Sequence, residues 1–261
     1  MSNKILSARH ESQKKVGFDF RHIQVDGYGN INTIYPQKTQ LHACETLFGD
    51  FEAEVLLLAQ DASDFESLEN SYILNKLNPF RHSEKLETNK RLFEYTKPYF
   101  NVGDEFNSPN ARSCGVYYAN SIWLLKKTNG KSGQLKNLKN VFEKSIETFE
   151  ATLDNLPKLK LIITLGKVPY KFLNYFLSKK NGTKYTLGVW NDVIINREII
   201  KIEIKSRQML IGATYHPGSL GTIARARASN FSGVGCTSEG IRLIKEDFSS
   251  ILEKSGFKPH F

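Results

Sequence analysis

Polar side chains stand where the apolar runs of this chain end. "EVLLLAQ" at 54–60 closes on Gln60 and passes into Asp61 and Ser63, and "GVYYANS" at 115–121 closes on Asn120 and Ser121. "LKLIITLG" at 159–166 ends in Gly166, while "QMLIGATYHP" at 208–217 ends in His216 and Pro217 and continues into Gly218, Ser219 and Leu220. In open α/β sheets ligands bind in the crevice beyond the carboxyl ends of the strands. A carboxylate, an amide with both an acceptor and a donor, and an imidazole could therefore converge on one site. Each also has a plainer use: Asp61 as a helix N-cap, Asn120 as a partner for loop backbone, His216 as a structural histidine before proline. Their coincidence at strand ends favours a site.

The elements that must hold these residues alternate along the chain. Between the apolar runs lie the amphipathic segments "SEKLETNKRLFEYTKPYF", "LKNLKNVFEKSIETFEATLDNL", "VPYKFLNYFLSKK" and "SEGIRLIKEDFSSILEK". In the second, Leu135, Leu138, Val141, Phe142, Ile146, Phe149 and Leu153 recur at three- and four-residue steps, the period of a helix with one apolar face. Strands alternating with helices predict an α/β three-layer sandwich, with a mainly parallel central sheet of four strands flanked by helices. "VIINREIIKIEIKSRQMLIGA" breaks the rhythm. It reads as two strands joined by a polar turn around Lys205 to Arg207, an antiparallel hairpin feeding the last core strand. Residues 1–50, punctuated by Gly27, Gly29, Pro36 and Gly49, read as an irregular N-terminal extension packed on a single domain spanning 51–261.

Composition narrows the class. At 261 residues with 40% hydrophobic content the chain can bury a real core, which sets disorder aside. Lys and Arg outnumber Asp and Glu by 36 to 27, a net charge of +9, so the surface field favours a polyanion such as nucleic acid, although basic pairs along helices are also an ordinary solvated face. Cys44, Cys114 and Cys236 are far apart and form no CxxC pair, which points away from a disulfide framework or a zinc ribbon and towards a reducing, cytoplasmic setting. "MSNKILSARHESQKK" lacks the apolar core of a signal peptide, and no run approaches the roughly 18 apolar residues of a membrane span. A soluble monomer without a membrane partner is expected.

"AQDAS" followed far downstream by "HPGSL" resembles the two signature segments of the uracil-DNA glycosylase superfamily, usually written GQDPY and HPSPL. Between them "GVYYANSIWLLKK" looks like the segment that supplies the uracil-binding asparagine, and "LIITLGKVPYKFL" like the strand and helix that follow it. "ILEKSGFKP" is similar to the closing stretch of bacterial members, and order and rough spacing agree over about residues 50 to 255.

The resemblance implies a metal-independent DNA glycosylase that flips a nucleotide out of the stack and hydrolyses its N-glycosidic bond, leaving an abasic site. Asp61 would orient the attacking water and stabilise the cationic, oxocarbenium-like sugar. His216 would donate a hydrogen bond to O2 of the departing base, as preorganised donors stabilise anions elsewhere. Asn120 would read the N3 and O4 edge of uracil and reject cytosine. Gln60 would place a backbone group near the base, and Ser63 and Ser219 would approach phosphates. Phe80 in "LNPFRH", with Phe65 second, is the candidate for the ring that stacks on the flipped base, and core packing is the plainer reading of each. Leu220 sits where the family places an apolar wedge. Arg225 and Arg227 follow in a Gly- and Ala-rich loop, "GTIARARASNF", suited to phosphate contacts and so to salt-dependent affinity.

The chain departs from the family pattern in places. Ala62 and Ser63 replace the proline and tyrosine of the first signature. In the uracil-specific family that tyrosine excludes thymine, so its loss implies a roomier pocket able to admit 5-substituted uracils or another damaged base. Gly218 replaces a serine of the second signature, with a phosphate contact at stake. Iron–sulfur branches need four cysteine ligands and this chain has three cysteines, so no cofactor is expected. Two other readings compete. A nucleotide-binding hydrolase of similar build would need a GxxxxGK[ST] or GxGxxG loop, and neither follows any strand. A noncatalytic DNA- or protein-binding member of the same fold would keep the basic surface, but has no use for Asp61 opposite His216.

Overall fold

The computed structural model describes residues 28–29, 52–61, 87–100, 115–122, 125–126, 138–154, 156–181 and 186–260. Seven strands are β1 (Tyr28–Gly29), β2 (Val55–Asp61), β3 (Val116–Ile122), β4 (Leu125–Lys126), β5 (Leu161–Leu165), β6 (Ile200–Ile204) and β7 (Arg207–Thr214) among the described residues. The helices there are α1 (Glu87–Thr96), α2 (Leu138–Asp154), α3 (Lys167–Asn181), α4 (Trp190–Ile195), α5 (Ser219–Ala228) and α6 (Cys236–Lys254).

The central sheet has five strands in the order β3-β2-β5-β7-β6. The first four are parallel and β6 runs antiparallel to β7, so the expected four-stranded parallel core is present with one strand added at its edge. Sequence pattern explains which strand goes where. Residues of β3 and β5 are buried without alternation, the signature of strands covered on both faces. In β6 the isoleucines Ile202 and Ile204 are buried while the alternating Lys201 and Glu203 are exposed, as suits an edge strand with one wet face. Its charges on the open face discourage further strand pairing.

The hairpin between β6 and β7 is closed by Lys205 and Ser206, both at positive φ (51° and 60°), the backbone a two-residue turn requires to match strand twist. The turn is tied down from outside: Lys205 Nζ donates to Asp154 Oδ1 at 2.6 Å, and Arg207 donates to the carbonyls of Leu153 and Leu156 at 3.0 and 2.8 Å. The bond to Leu153 also satisfies a carbonyl in the last turn of α2 that has no partner within the helix. One expectation is corrected here. Val193–Ile195 belong to α4 rather than to the hairpin's first strand, because Trp190, Val193 and Ile194 fall at the i, i+3, i+4 spacing and are buried together.

Helices cover both faces. On one, α2, α3 and α4 pack through Phe142, Phe149, Phe172, Phe176 and Trp190 against Leu56, Leu58, Ile162 and Ile211. Phe149 meets Phe172 and Phe176 edge-on at 5.2 and 4.9 Å. On the other, α1 and α6 bring Leu92, Tyr95, Phe248 and Ile251 onto Val55, Leu57, Leu161 and Ile163. The chain first crosses from β2 to β3 on one side, then returns over β2 to β5 on the other, and right-handed crossovers put α1 and α2 on opposite faces. β1 pairs antiparallel with β4, and the rest of the N-terminal 50 residues lies outside those described. No helix among the described residues is long and apolar enough to cross a membrane.

Candidate functional site at the carboxyl edge of the sheet

The reversal in strand order lies between β2 and β5, so the crevice of the sheet opens beyond the ends of these two strands. Asp61 is the last residue of β2, in register with Ile122, and Ala59 is in register with Asn120. Ser121 Oγ donates to the Gln60 carbonyl at 3.0 Å and so fastens the tips of β2 and β3 together. Gly166 follows β5 at φ 106°, a backbone region open to glycine, and its N–H donates to the Thr214 carbonyl at 2.8 Å. The strand tips are thereby fastened in two pairs, β2 to β3 and β5 to β7.

Asn120 is 2% exposed, and its Oδ1 is buried without a hydrogen-bond partner among the described residues. An orphan acceptor of this kind costs roughly 1–3 kcal/mol, which a fold tolerates where a ligand supplies the missing donor. Its register partner Ala59 packs in the cluster of α1 and α6, so Asn120 faces that same side of the sheet.

His216 is half-buried two residues after β7, and each of its neighbours is held. The backbone N–H of Gly218 donates to its Nδ1 at 3.1 Å. A neutral imidazole that accepts at Nδ1 carries its proton on Nε2, the tautomer able to donate a hydrogen bond from that nitrogen. Before it, Tyr215 packs edge-on against Trp190 at 4.5 Å, and burial pushes its phenol up. After it, Pro217 is buried and its carbonyl accepts a 2.7 Å bond from Arg91 of α1. A Cβ built on Gly218 would lie 2.9 Å from Nδ1 and 3.1 Å from Thr88 Oγ1, which puts the imidazole on the α1 side of the sheet, the side that Asn120 faces. A Cβ on Gly221 would lie 1.9 Å from the His216 carbonyl oxygen, so α5 rests directly on this turn. β3 and β7 are three strand spacings apart, about 14 Å. An acceptor and a positioned donor thus stand at opposite ends of one crevice.

Ser219 and Leu220 open α5, both exposed, and Leu220 is 76% exposed. The expected basic loop "GTIARARASNF" is instead largely this helix, and its two arginines part company. Arg227 is exposed. Arg225 is 3% exposed: Nε and a terminal nitrogen bond Asp247 at 2.6 and 2.9 Å, and the other terminal nitrogen bonds Ser229 Oγ at 2.6 Å. It therefore lacks the exposure a phosphate contact needs, because its charge is paired and all three of its nitrogens donate inside the protein. Gly218, where a lost phosphate contact was at stake, instead makes room for the imidazole. Ser63, Phe65 and Phe80 lie outside the described residues, and Asp61 is placed through its backbone alone.

Arg91 and Asp247 were missed, yet both leave a trace in sequence. Arg91 is four residues before Tyr95, and Asp247 lies three after Ile244 and four before Ile251, so each is a charge set in an apolar helical stripe. A charge in such a stripe is either an error of register or a buried partner. Among models of known protein families and among curated proteins, none matches this chain.

Proposed function

We propose that the protein is a DNA glycosylase that hydrolyses the N-glycosidic bond of uracil, or of a related damaged or modified pyrimidine, in DNA. The fold proposed for it is the three-layer sandwich of the uracil-DNA glycosylase superfamily, acting as a cytoplasmic monomer. The observation that carries the reading is the pairing of Asn120 and His216 on one side of the carboxyl edge: a buried acceptor without a partner among the described residues, and an imidazole whose Nδ1 accepts the Gly218 N–H, the arrangement that suits a proton on Nε2. A flipped uracil offers an N3–H donor to the first and an O2 acceptor to the second.

In this reading Asn120 Oδ1 accepts from N3–H and selects the base. Asp61, at the tip of β2, orients water for attack at C1′ and balances the positive charge that grows on the sugar as the C–N bond breaks. The electron pair of that bond leaves with the base, and the Nε2–H of His216 stabilises the charge arriving at O2. Water supplies the hydroxyl at C1′, and its proton passes to Asp61. The net charge of +9 and the exposed Ser219, Leu220 and Arg227 support a DNA-facing rim. The loss of the first-signature tyrosine at Ser63 supports acceptance of 5-substituted uracils.

Release of abasic sites from uracil-containing single-stranded and mismatched duplex DNA, and from 5-substituted uracils, tests the reading, with Asp61→Asn and His216→Ala beside the parent. Activity in the parent that falls by about 100-fold or more in both variants supports it. A parent that binds these DNAs and leaves every base in place would make it a noncatalytic binder.

A further inference from the structure

Helix α5 lies on the His216 turn, yet little apolar surface seats it: its buried residues are Thr222, Arg225 and Ala226. Its first anchor is close backbone packing. A Cβ on Gly221 would collide with the His216 carbonyl oxygen, and a Cβ on Gly240 of α6 would lie 1.8 Å from the Thr222 carbonyl oxygen. Such packing sets how near α5 may come to the turn and to α6. The second anchor is polar. Asp247 of α6, 1% exposed, takes both Arg225 bonds, a third from Arg197 Nε at 3.0 Å, and a hydroxyl from Thr214 of β7 at 3.4 Å.

Asp247 thereby binds three pieces of the molecule at one carboxylate: the end of β7 two residues before His216, the helix that rests on the His216 turn, and the turn after α4. We infer that Asp247 is a positioning residue for His216, acting through Arg225 and α5 to hold the imidazole in the register where Gly218 N–H meets Nδ1. The inference rests on the proposed site for what the imidazole does, and on geometry alone for what holds it. A bidentate pair resists sliding and rotation where a greasy contact would permit both, because its two bonds must align together. A misplacement of about 1 Å at a reacting group can cost on the order of 100-fold in rate.

The test reads the imidazole directly. In the full-length parent, imidazole nitrogen NMR shifts should report a neutral ring with Nδ1 unprotonated. Asp247→Asn removes the charge and keeps the shape, and is expected to move the His216 signals towards a mixture of tautomers. Arg225→Lys keeps the charge and loses the fork, and is expected to do the same to a smaller degree. Tyr99→Phe removes a 2.8 Å bond from the turn after α1 to Glu253 of α6 and serves as a purely structural comparison, expected to lower the melting temperature and leave the ring unchanged. Unchanged His216 signals in folded Asp247→Asn overturn the inference, as do equal changes in Tyr99→Phe. Should Asp247→Asn not fold, Arg225→Lys decides by the same signals. If the parent releases base, kcat in the shifted variants should fall on the order of tenfold with KM nearly constant. A parent inactive on every DNA tested sinks the glycosylase reading while the NMR result still decides this one.

Discussion

Gly218 and His216 are bound to each other twice, once by attraction and once by want of space. The Gly218 N–H donates to Nδ1 at 3.1 Å, and a Cβ on the same residue would lie 2.9 Å from that nitrogen. A glycine here therefore lets the backbone approach the ring it orients. Gly218→Ala should push the ring or the turn by a few tenths of an ångström, lengthen this bond, and lower base release by about 10- to 100-fold with the fold intact. Steady-state kinetics beside a thermal melt would check it, and full activity in Gly218→Ala would refute it.

The orphan Oδ1 of Asn120 predicts a conflict between stability and activity. Sites that bind ligands keep polar groups the fold alone would discard. Asn120→Leu retains branching at Cγ and removes the buried acceptor without a partner, so its melting temperature should equal or exceed the parent's while uracil release is lost. A large drop in melting temperature would mean that Asn120 is structural and would undo its role as a base reader.

Much of this architecture was legible in the chain because apolar pattern is a direct image of burial. β2, β3, β5 and β7 lie on the four apolar runs, overstepping them by one residue at most, and the β6–β7 hairpin turns at Lys205 and Ser206 as its polar break indicates. Two features were hidden for a common reason. α4 is six residues long and ends in the β-branched run Val193, Ile194, Ile195, so local preference speaks for strand while the tertiary spacing of Trp190, Val193 and Ile194 decides for helix. In α5, small residues and alternating arginines give no apolar stripe, and what buries Arg225 is a carboxylate 22 residues away in sequence. That contact shows only at Asp247, a charge in the apolar stripe of α6, and leaves no trace at Arg225 itself.

The two arginines of α5 should separate cleanly by experiment. Arg227→Ala, on the exposed side, should weaken DNA binding at low salt and reduce the salt slope of the affinity by about 1, with stability nearly unchanged. Arg225→Ala strands Asp247 as a buried charge with one fewer partner and should cost about 3–5 kcal/mol of folding stability. Its salt slope should stay at the parent's value. Binding titrations across salt and denaturant melts read the two quantities independently, and a slope change in Arg225→Ala would place it at the DNA after all.

The aromatic stack of α2 on α3 should dominate mutational stability on its face of the sheet. Phe149 is fully buried and meets two rings edge-on, so Phe149→Ala removes both contacts and leaves a cavity between two helices that the sheet holds in place. The expected loss is about 3–5 kcal/mol by denaturant unfolding, and a loss under about 1 kcal/mol would show that these helices collapse freely onto the gap.

Buried phenols set an alkaline limit on stability. Burial raises Tyr95 and Tyr170 from the ordinary 10.0 to about 12 each. Tyr95 lies between α1 and the Ile241 carbonyl of α6, and Tyr170 donates to the Gly188 carbonyl at 2.8 Å. Between pH 10 and about 12 the unfolded chain has released protons that the folded chain keeps, so the folded state binds more protons and stability must fall as pH rises through that window. Below pH 10 both states are protonated at these groups and they contribute no pH dependence. Tyrosinate absorbance should therefore show a fraction of phenols titrating late and together with unfolding. Tyr95→Phe and Tyr170→Phe should each make denaturant stability less steep between pH 10 and 12, and a slope unchanged in both variants would assign the alkaline limit to other groups.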